Sequence, residues 1–240
     1  MVSHIVKIIK KEEIAERTMA FYFEKPDGFE FTAGQYVTVS LINPPETDDE
    51  GNYRFFSLIT APYENCLGIA TRIRDTAFKR VLKNLPIGSE IKITNSSGSF
   101  FLHKDNSKQA VFLIGGIGIT PVFSIIKNAT YNKIPHQLFL FYSNKRPEDA
   151  PFLGELQKLE KENPNFKLIT TMTEMENSKQ AWLGETGFIT KEMLQKYIEN
   201  LNSPIYYMSG PPTMVEAMRE LAEKVGASDD HIIFEEFTGY

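Results

Sequence analysis

Three glycines and a proline in Val111-Phe-Leu-Ile-Gly-Gly-Ile-Gly-Ile-Thr-Pro121 have the clearest chemical use in this chain. Val111 to Ile114 has the length and composition of a buried parallel strand. Gly115, Gly116 and Gly118 let the backbone turn sharply and lie close to another molecule. Pro121 suits the first turn of a helix, where its missing N–H would have no partner. Strand, glycine turn and helix start together aim free N–H groups and the positive end of a dipole at one point, which suits a pyrophosphate. The same residues also serve as a plain strand-to-helix connection, so the weight of the motif depends on its company.

Three other stretches supply that company. In Arg54-Phe55-Phe56-Ser57, a strand would put Arg54 and Phe56 on one face and Phe55 and Ser57 on the other. A guanidinium beside an aromatic ring holds a phosphate and stacks a planar group, while a hydroxyl donates to or accepts from a ring heteroatom. An edge strand with a solvated arginine is the plainer reading. From Thr71 to Lys83, five bases (Arg72, Arg74, Lys79, Arg80, Lys83) accompany one acid, Asp75. Asp75 or Thr76 caps a helix beginning at Ala77, giving either a second anion site or a solvated charged face. In Ser209-Gly210-Pro211 a strand ends, and Pro212 or Thr213 opens the last long helix. Ligands of open α/β sheets bind at such strand ends, so Ser209 is expected in a cleft. The C-terminal run from Ile232 to Tyr240 is unusually apolar for a terminus and reads as an aromatic lid or a packed final strand.

The elements that must position these residues divide into two kinds. Residues 5–9, 19–24, 36–41 and 90–93 are short and β-rich, several alternating with period two, and 54–60 and 67–74 are expected to pair. Several short strands at this spacing suggest an antiparallel barrel or sandwich. Residues 42–53, with two prolines and four acids, form a polar loop. After Lys104, apolar strands at 110–114, 136–142, 166–172 and 204–209 alternate with helical stretches near 121–129, 152–162, 191–199 and 212–225. That alternation marks a parallel sheet covered by helices. The expected domains are residues 1–104 and 105–240.

Composition narrows the function. The chain has 240 residues, 42% hydrophobic and 24% charged, enough for two cores. A net charge of −5 argues against a general nucleic-acid binder. The single cysteine, Cys66, excludes an internal disulfide and a cysteine-ligated iron–sulfur cluster, and four scattered histidines lack metal-ligand spacing, so no metal is expected. No apolar run approaches the roughly 20 residues of a membrane span, and no signal-peptide core is visible, so the expected location is the cytoplasm.

Taken in order, the four stretches resemble the ferredoxin–NADP reductase superfamily of flavin oxidoreductases over the whole chain. Arg54-x-Phe56-Ser57 is similar to its Arg-x-Tyr-Ser flavin signature, Gly116-x-Gly118-x-x-Pro121 to its pyridine-nucleotide motif, and Ser209-Gly210-Pro211 to its Cys-Gly-Pro motif. The resemblance implies an N-terminal antiparallel six-stranded β-barrel holding FAD and a C-terminal α/β parallel-sheet domain binding NAD(P)H. It implies that Arg54 grips the flavin phosphates, Phe56 stacks on the isoalloxazine with Phe55 beside it, and Ser57 bonds N5. Thr71, Arg72, Ile73 and Arg74 would line the flavin. Thr76, Ala77, Phe78 and Lys79 would offer backbone N–H groups to its pyrophosphate, with Lys79 where many members carry Ser. Gly116, Gly118, Ile119, Thr120, Pro121, Ser209, Gly210 and Pro211 would meet NAD(P)H. Phe237 and Tyr240 would shield the ring, and Glu235 or Glu236 would stand near the proton path, with Ser57, Ser209, Glu236 and Phe237 as the catalytic set. Phe56 and Ser209 depart from the signature by lacking a hydroxyl and a thiol.

The implied activity is hydride transfer from NAD(P)H to FAD N5, then electron delivery to a separate acceptor such as ferredoxin or flavodoxin, docked on the basic stretch. A free-flavin or ferric reductase and a non-catalytic electron-relay protein are the alternatives. Ser143, Asn144, Lys145 and Arg146 follow a strand without an acid at the ribose position, which leans toward NADPH.

Overall fold

The computed structural model describes residues 2–237, so Tyr240 lies outside the described residues. Six strands form the N-terminal half: β1 (Ser3–Ala15), β2 (Thr18–Glu24), β3 (Tyr36–Leu41), β4 (Tyr53–Ser57), β5 (Cys66–Arg72) and β6 (Glu90–Thr94). They hydrogen-bond antiparallel in the order β4-β3-β6-β1-β2-β5. A bridge between Leu58 and Ile69, with Ile59 N–H donating to Gly68 O at 2.8 Å, joins the two ends of that order and closes a barrel. Alternate residues point inward, among them Val6, Ile8, Phe21, Phe23, Val37, Val39, Ile91 and Ile93. The expected pairing of residues 54–60 with 67–74 shrinks to that one bridge, because β4 pairs with β3 and β5 with β2. Alternation marks which face of a strand is buried and leaves its neighbour unspecified.

Helix α1 (Ala77–Asn84) stops one end of the barrel, burying Ala77, Phe78, Val81 and Leu82. Lys11 Nζ donates to Lys83 O at 2.9 Å and Leu85 O at 2.6 Å, partnering carbonyls that the end of a helix leaves open.

In the C-terminal half, β7 (Ala110–Gly115), β8 (Leu138–Asn144), β9 (Phe166–Met172), β10 (Glu185–Thr186), β11 (Ile205–Gly210) and β12 (Ile232–Glu236) form a parallel sheet in the order β10-β9-β8-β7-β11-β12. The helices are α2 (Ile119–Tyr131), α3 (Leu153–Glu162), α4 (Lys191–Gln195) and α5 (Pro212–Lys224). Every residue of β7 is buried, as a central strand with both faces covered requires.

The halves share one core. Ala20, Ala33, Ile59 and Phe100 belong to the same buried cluster as Phe112, Ile119, Val122 and Ile126. Ser124 Oγ donates to Thr60 O at 2.6 Å, and Lys127 pairs with Glu64. Burial pushes the Lys127 ammonium below its usual range while Glu64 opposes that shift. This seam fixes where the end of β4 stands relative to the ends of β7 and β11.

Candidate functional site

Cations gather at the start of α1. Thr76 takes extended backbone geometry and its Oγ1 accepts from Lys79 N–H at 3.4 Å, so the sequence does place a cap there. The Arg54 guanidinium lies 5.2 Å from the centre of the Phe78 ring, and the Phe56 ring is 5.9 Å from the same ring at 31°. Arg54 and Phe56 therefore share the inward face, as strand alternation requires. Lys79 is depressed below its ordinary range by burial first, then by Arg74 and Arg54. The Arg74 and Arg54 charges thus stand close enough to oppose the charge on Lys79, and Glu50 offsets part of that repulsion.

The acids that meet these cations come from the loop between β3 and β4. Asp48 Oδ1 sits 2.6 Å from Arg54 Nη2, and Glu50 Oε2 sits 2.8 Å from Arg54 Nε. The Arg54 guanidinium holds the Asp48 carboxyl below its usual range, helped by the Phe78 and Glu50 backbone N–H groups and opposed by burial. Sequence reasoning finds only a polar loop here; the available signal is the density of acids beside a predicted phosphate arginine. The rest of the basic stretch disperses. Arg80 turns to Glu46 and Asp75, and Arg72 Nη2 crosses the seam to donate to Asp149 O at 3.2 Å. Ile73 packs against the barrel core, and Thr71 is buried.

Across the seam lies the glycine turn. Gly116 has φ +52°, the left-handed region that favours glycine. A Cβ at Gly118 would run into the Ser209 carbonyl, so this glycine lets the end of β11 lie on the turn. Replacing Gly118 with alanine should destabilise the chain by about 1–3 kcal/mol through overpacking against backbone. Chemical denaturation of the two proteins at matched pH measures that difference. Thr120 Oγ1 donates to Ile117 O at 3.1 Å, Ile119 and Pro121 are buried, and Tyr142 O–H donates to Gly116 O at 3.1 Å.

Two buried polar side chains flank this turn without a hydrogen-bond partner among the described residues. They are Ser209 Oγ at the end of β11 and the Asn144 amide at the end of β8. Buried polar atoms are normally satisfied, and the carboxyl ends of these strands are where open sheets take ligands. Of the other residues expected at this edge, Ser143 stands in register between Gly115 and Thr171, and Pro211 precedes α5. Arg146 is engaged by Asp149 at 2.7 and 2.9 Å and by Glu16 at 2.7 Å, while Lys145 pairs with Glu174 at 2.8 Å.

The final strand closes the site. In the β11–β12 register Ser209 faces Glu235, and Gly210 faces Glu236. Ser57 Oγ lies 3.5 Å from Glu235 Oε2, a long hydrogen bond. Burial raises the Glu235 carboxyl to about 7, opposed by the Ser57 hydroxyl. Glu236 points to the other face and is exposed, so Glu235 is the acid beside Ser57. Phe237 N–H donates to Gly210 O at 3.0 Å, and its ring packs at the edge of the shared core.

Comparison with known proteins agrees with this arrangement. Residues 112–220 match the family model described as the oxidoreductase NAD-binding domain. Over 245 residues the chain is 28% identical to NADH-cytochrome b5 reductase 1 of Cryptococcus neoformans, covering 92% of this chain and 78% of that protein. The chain is thus similar to the oxidoreductase NAD-binding family over the span from β7 to α5. It is also 26% identical over 238 residues to the flavohemoprotein of Bacillus subtilis, a match that covers 96% of this chain and 58% of that protein. The chain thus spans little more than half the length of this second relative. A solved structure described as a ferredoxin NADP+ reductase from Neisseria gonorrhoeae with bound FAD and NADP aligns with TM-score 0.81 over 98% of both chains, at 20% identity. That likeness concerns the fold. The cations at α1 suit a pyrophosphate, and the glycine turn with Ser209 and Asn144, unpartnered among the described residues, suits a dinucleotide.

Proposed function

We propose that the chain is an NAD(P)H-dependent flavoprotein oxidoreductase that delivers electrons to a separate acceptor. The observation that carries this reading is the position of Glu235, in register with Ser209 on one strand and 3.5 Å from Ser57 on the other domain. When bound, FAD would supply the hydride-accepting ring and pass its electrons onward. Arg54, Arg74, Lys79 and the start of α1 bind the phosphates of that group. Ser57 and Ser209 orient reacting atoms from opposite sides of the seam. Glu235 keeps a proton at its carboxyl up to about pH 7. Phe237 occupies the edge that a nicotinamide must cross, so it acts as a gate.

The donor is better read as NADH. The sequence leans toward NADPH on Ser143, Lys145 and Arg146, yet both of these cations already face carboxylates. A 2′-phosphate would have to displace Glu174 or Asp149. The acceptor is read as a separate protein or small oxidant. Ferredoxin and flavodoxin lose support as partners for the basic stretch, because Arg80 is turned toward Glu46 and Asp75 and Arg72 toward the Asp149 carbonyl.

The absorption spectrum of the purified chain, with mass spectrometry of any released chromophore, tests the reading. A flavin spectrum and turnover of ferricyanide with NADH support it, whereas a colourless chain that refuses added FAD sinks it. Ser57→Ala should slow hydride transfer, followed by stopped-flow bleaching, about tenfold or more. Unchanged bleaching would remove Ser57 from its assigned position.

A further inference from the structure

The loop between β3 and β4 does more than connect two strands. It runs beside the start of α1 and is tied to the arginines on both sides. Glu46 grips Arg80 on α1 through oxygens at 2.6 and 3.0 Å. Asp48 and Glu50 grip Arg54 at 2.6 and 2.8 Å, and Arg54 also donates to the carbonyls of Glu50, Gly51 and Tyr53. The tip has a defined shape: Gly51 N–H donates to Asp48 O at 2.8 Å, and Glu50 N–H donates to Asp48 Oδ1 at 3.2 Å. At its base, Leu41 and Asn52 exchange hydrogen bonds of 2.9 Å. This loop carries four acids, of which three are bound to the arginines of the site.

A carboxylate placed against an arginine and near a helix-start N–H has the same demands as a phosphate oxygen. Asp48 meets both demands, with Arg54 on one side and the Phe78 N–H on the other. Resting on the reading of the site as a flavin site, we infer that residues 46–50 are an acidic strap that competes with the flavin phosphates for Arg54 and the start of α1, so that flavin is held as an exchangeable ligand. Binding then requires the strap to release Arg54, and the freed carboxylates stay close enough to repel the incoming phosphate. The strap acts on the charged tail and leaves the ring untouched. Discrimination therefore falls between flavins with and without phosphate.

Titration of the full chain by flavin-fluorescence quenching tests this, using FAD and the phosphate-free riboflavin as probes. Asp48→Asn combined with Glu50→Gln keeps the shape of the loop and removes both charges. The double variant should bind FAD about tenfold more tightly than the wild type, with slower release into excess apoprotein. Its affinity for riboflavin should be unchanged. FAD affinity that is unchanged or weaker overturns the strap, since the acids would then be neutral or would be positioning Arg54 productively. Equal tightening for riboflavin also overturns it, pointing to obstruction by the loop in place of charge competition. If neither protein quenches either probe, the flavin reading itself fails, a result distinct from an unaltered FAD constant.

Discussion

Arg54→Ala is expected to yield a folded chain that loses FAD on desalting, with affinity reduced about a hundredfold. The guanidinium reaches from β4 to the start of α1, and its fork geometry matches two phosphate oxygens at once. Removing it also takes away the partner of Asp48 and Glu50, leaving those carboxylates unopposed beside Phe78. Both effects push phosphate away, so the loss exceeds that of one ordinary hydrogen bond. Lysine at this position should recover only part of the affinity, because an ammonium cannot form the paired contact. Circular dichroism of the variant and its flavin-to-protein absorbance ratio make the measurement. Full flavin retention by Arg54→Ala would move the phosphate site elsewhere.

Glu235→Gln should flatten the pH dependence of turnover between about pH 6 and 8. In the wild type, burial lifts this carboxyl from 4.5 to about 7, so it holds its proton well into neutral solution. As pH rises through 7 the proton leaves, a charge appears next to Ser57, and turnover with NADH should fall. Stability follows the same direction. The contribution of the protonated form is whole below about 4.5 and is lost as pH rises through about 7, because the unfolded chain gives up this proton more readily. Glu235 keeps some solvent contact, so the loss is on the order of 1–3 kcal/mol. Glutamine copies the neutral form and should remove both trends. A wild-type profile with no limb near 7, or a limb that survives in the variant, would assign the proton to another group.

Much of this is open to sequence reasoning because the decisive signals are local. The run Val111–Ile114 has the length and composition of a buried strand, which β7 is, and the glycines after it favour a turn, which Gly116 makes. Thr76 at a helix start and Ser209 at a strand end follow from the same near-neighbour rules. What escapes is non-local. Nothing near Arg54 in the chain tells that its bonds go to Asp48 and Glu50 while Arg72 crosses to Asp149. The choice of Glu236 over Glu235 shows how finely this cuts: the two differ by one step on a strand, and only the register with β11 reveals which face meets Ser57. Gly118 is legible as a glycine that matters, though its neighbour turns out to be the Ser209 backbone. The lean toward NADPH leaves partners out of account, since a phosphate reaching Lys145 or Arg146 must first displace Glu174 from one or Asp149 and Glu16 from the other.

The buried cluster that runs from Ala20 and Phe100 into Phe112 and Ile126 bears on how this molecule can be cut and recombined. Severing the chain near residue 104 would strip each fragment of apolar surface that the other now covers, and would leave Lys127 without Glu64. Heat should therefore melt the two halves in one calorimetric transition, and a chimera built from two relatives should function only when both sides of that junction come from the same parent.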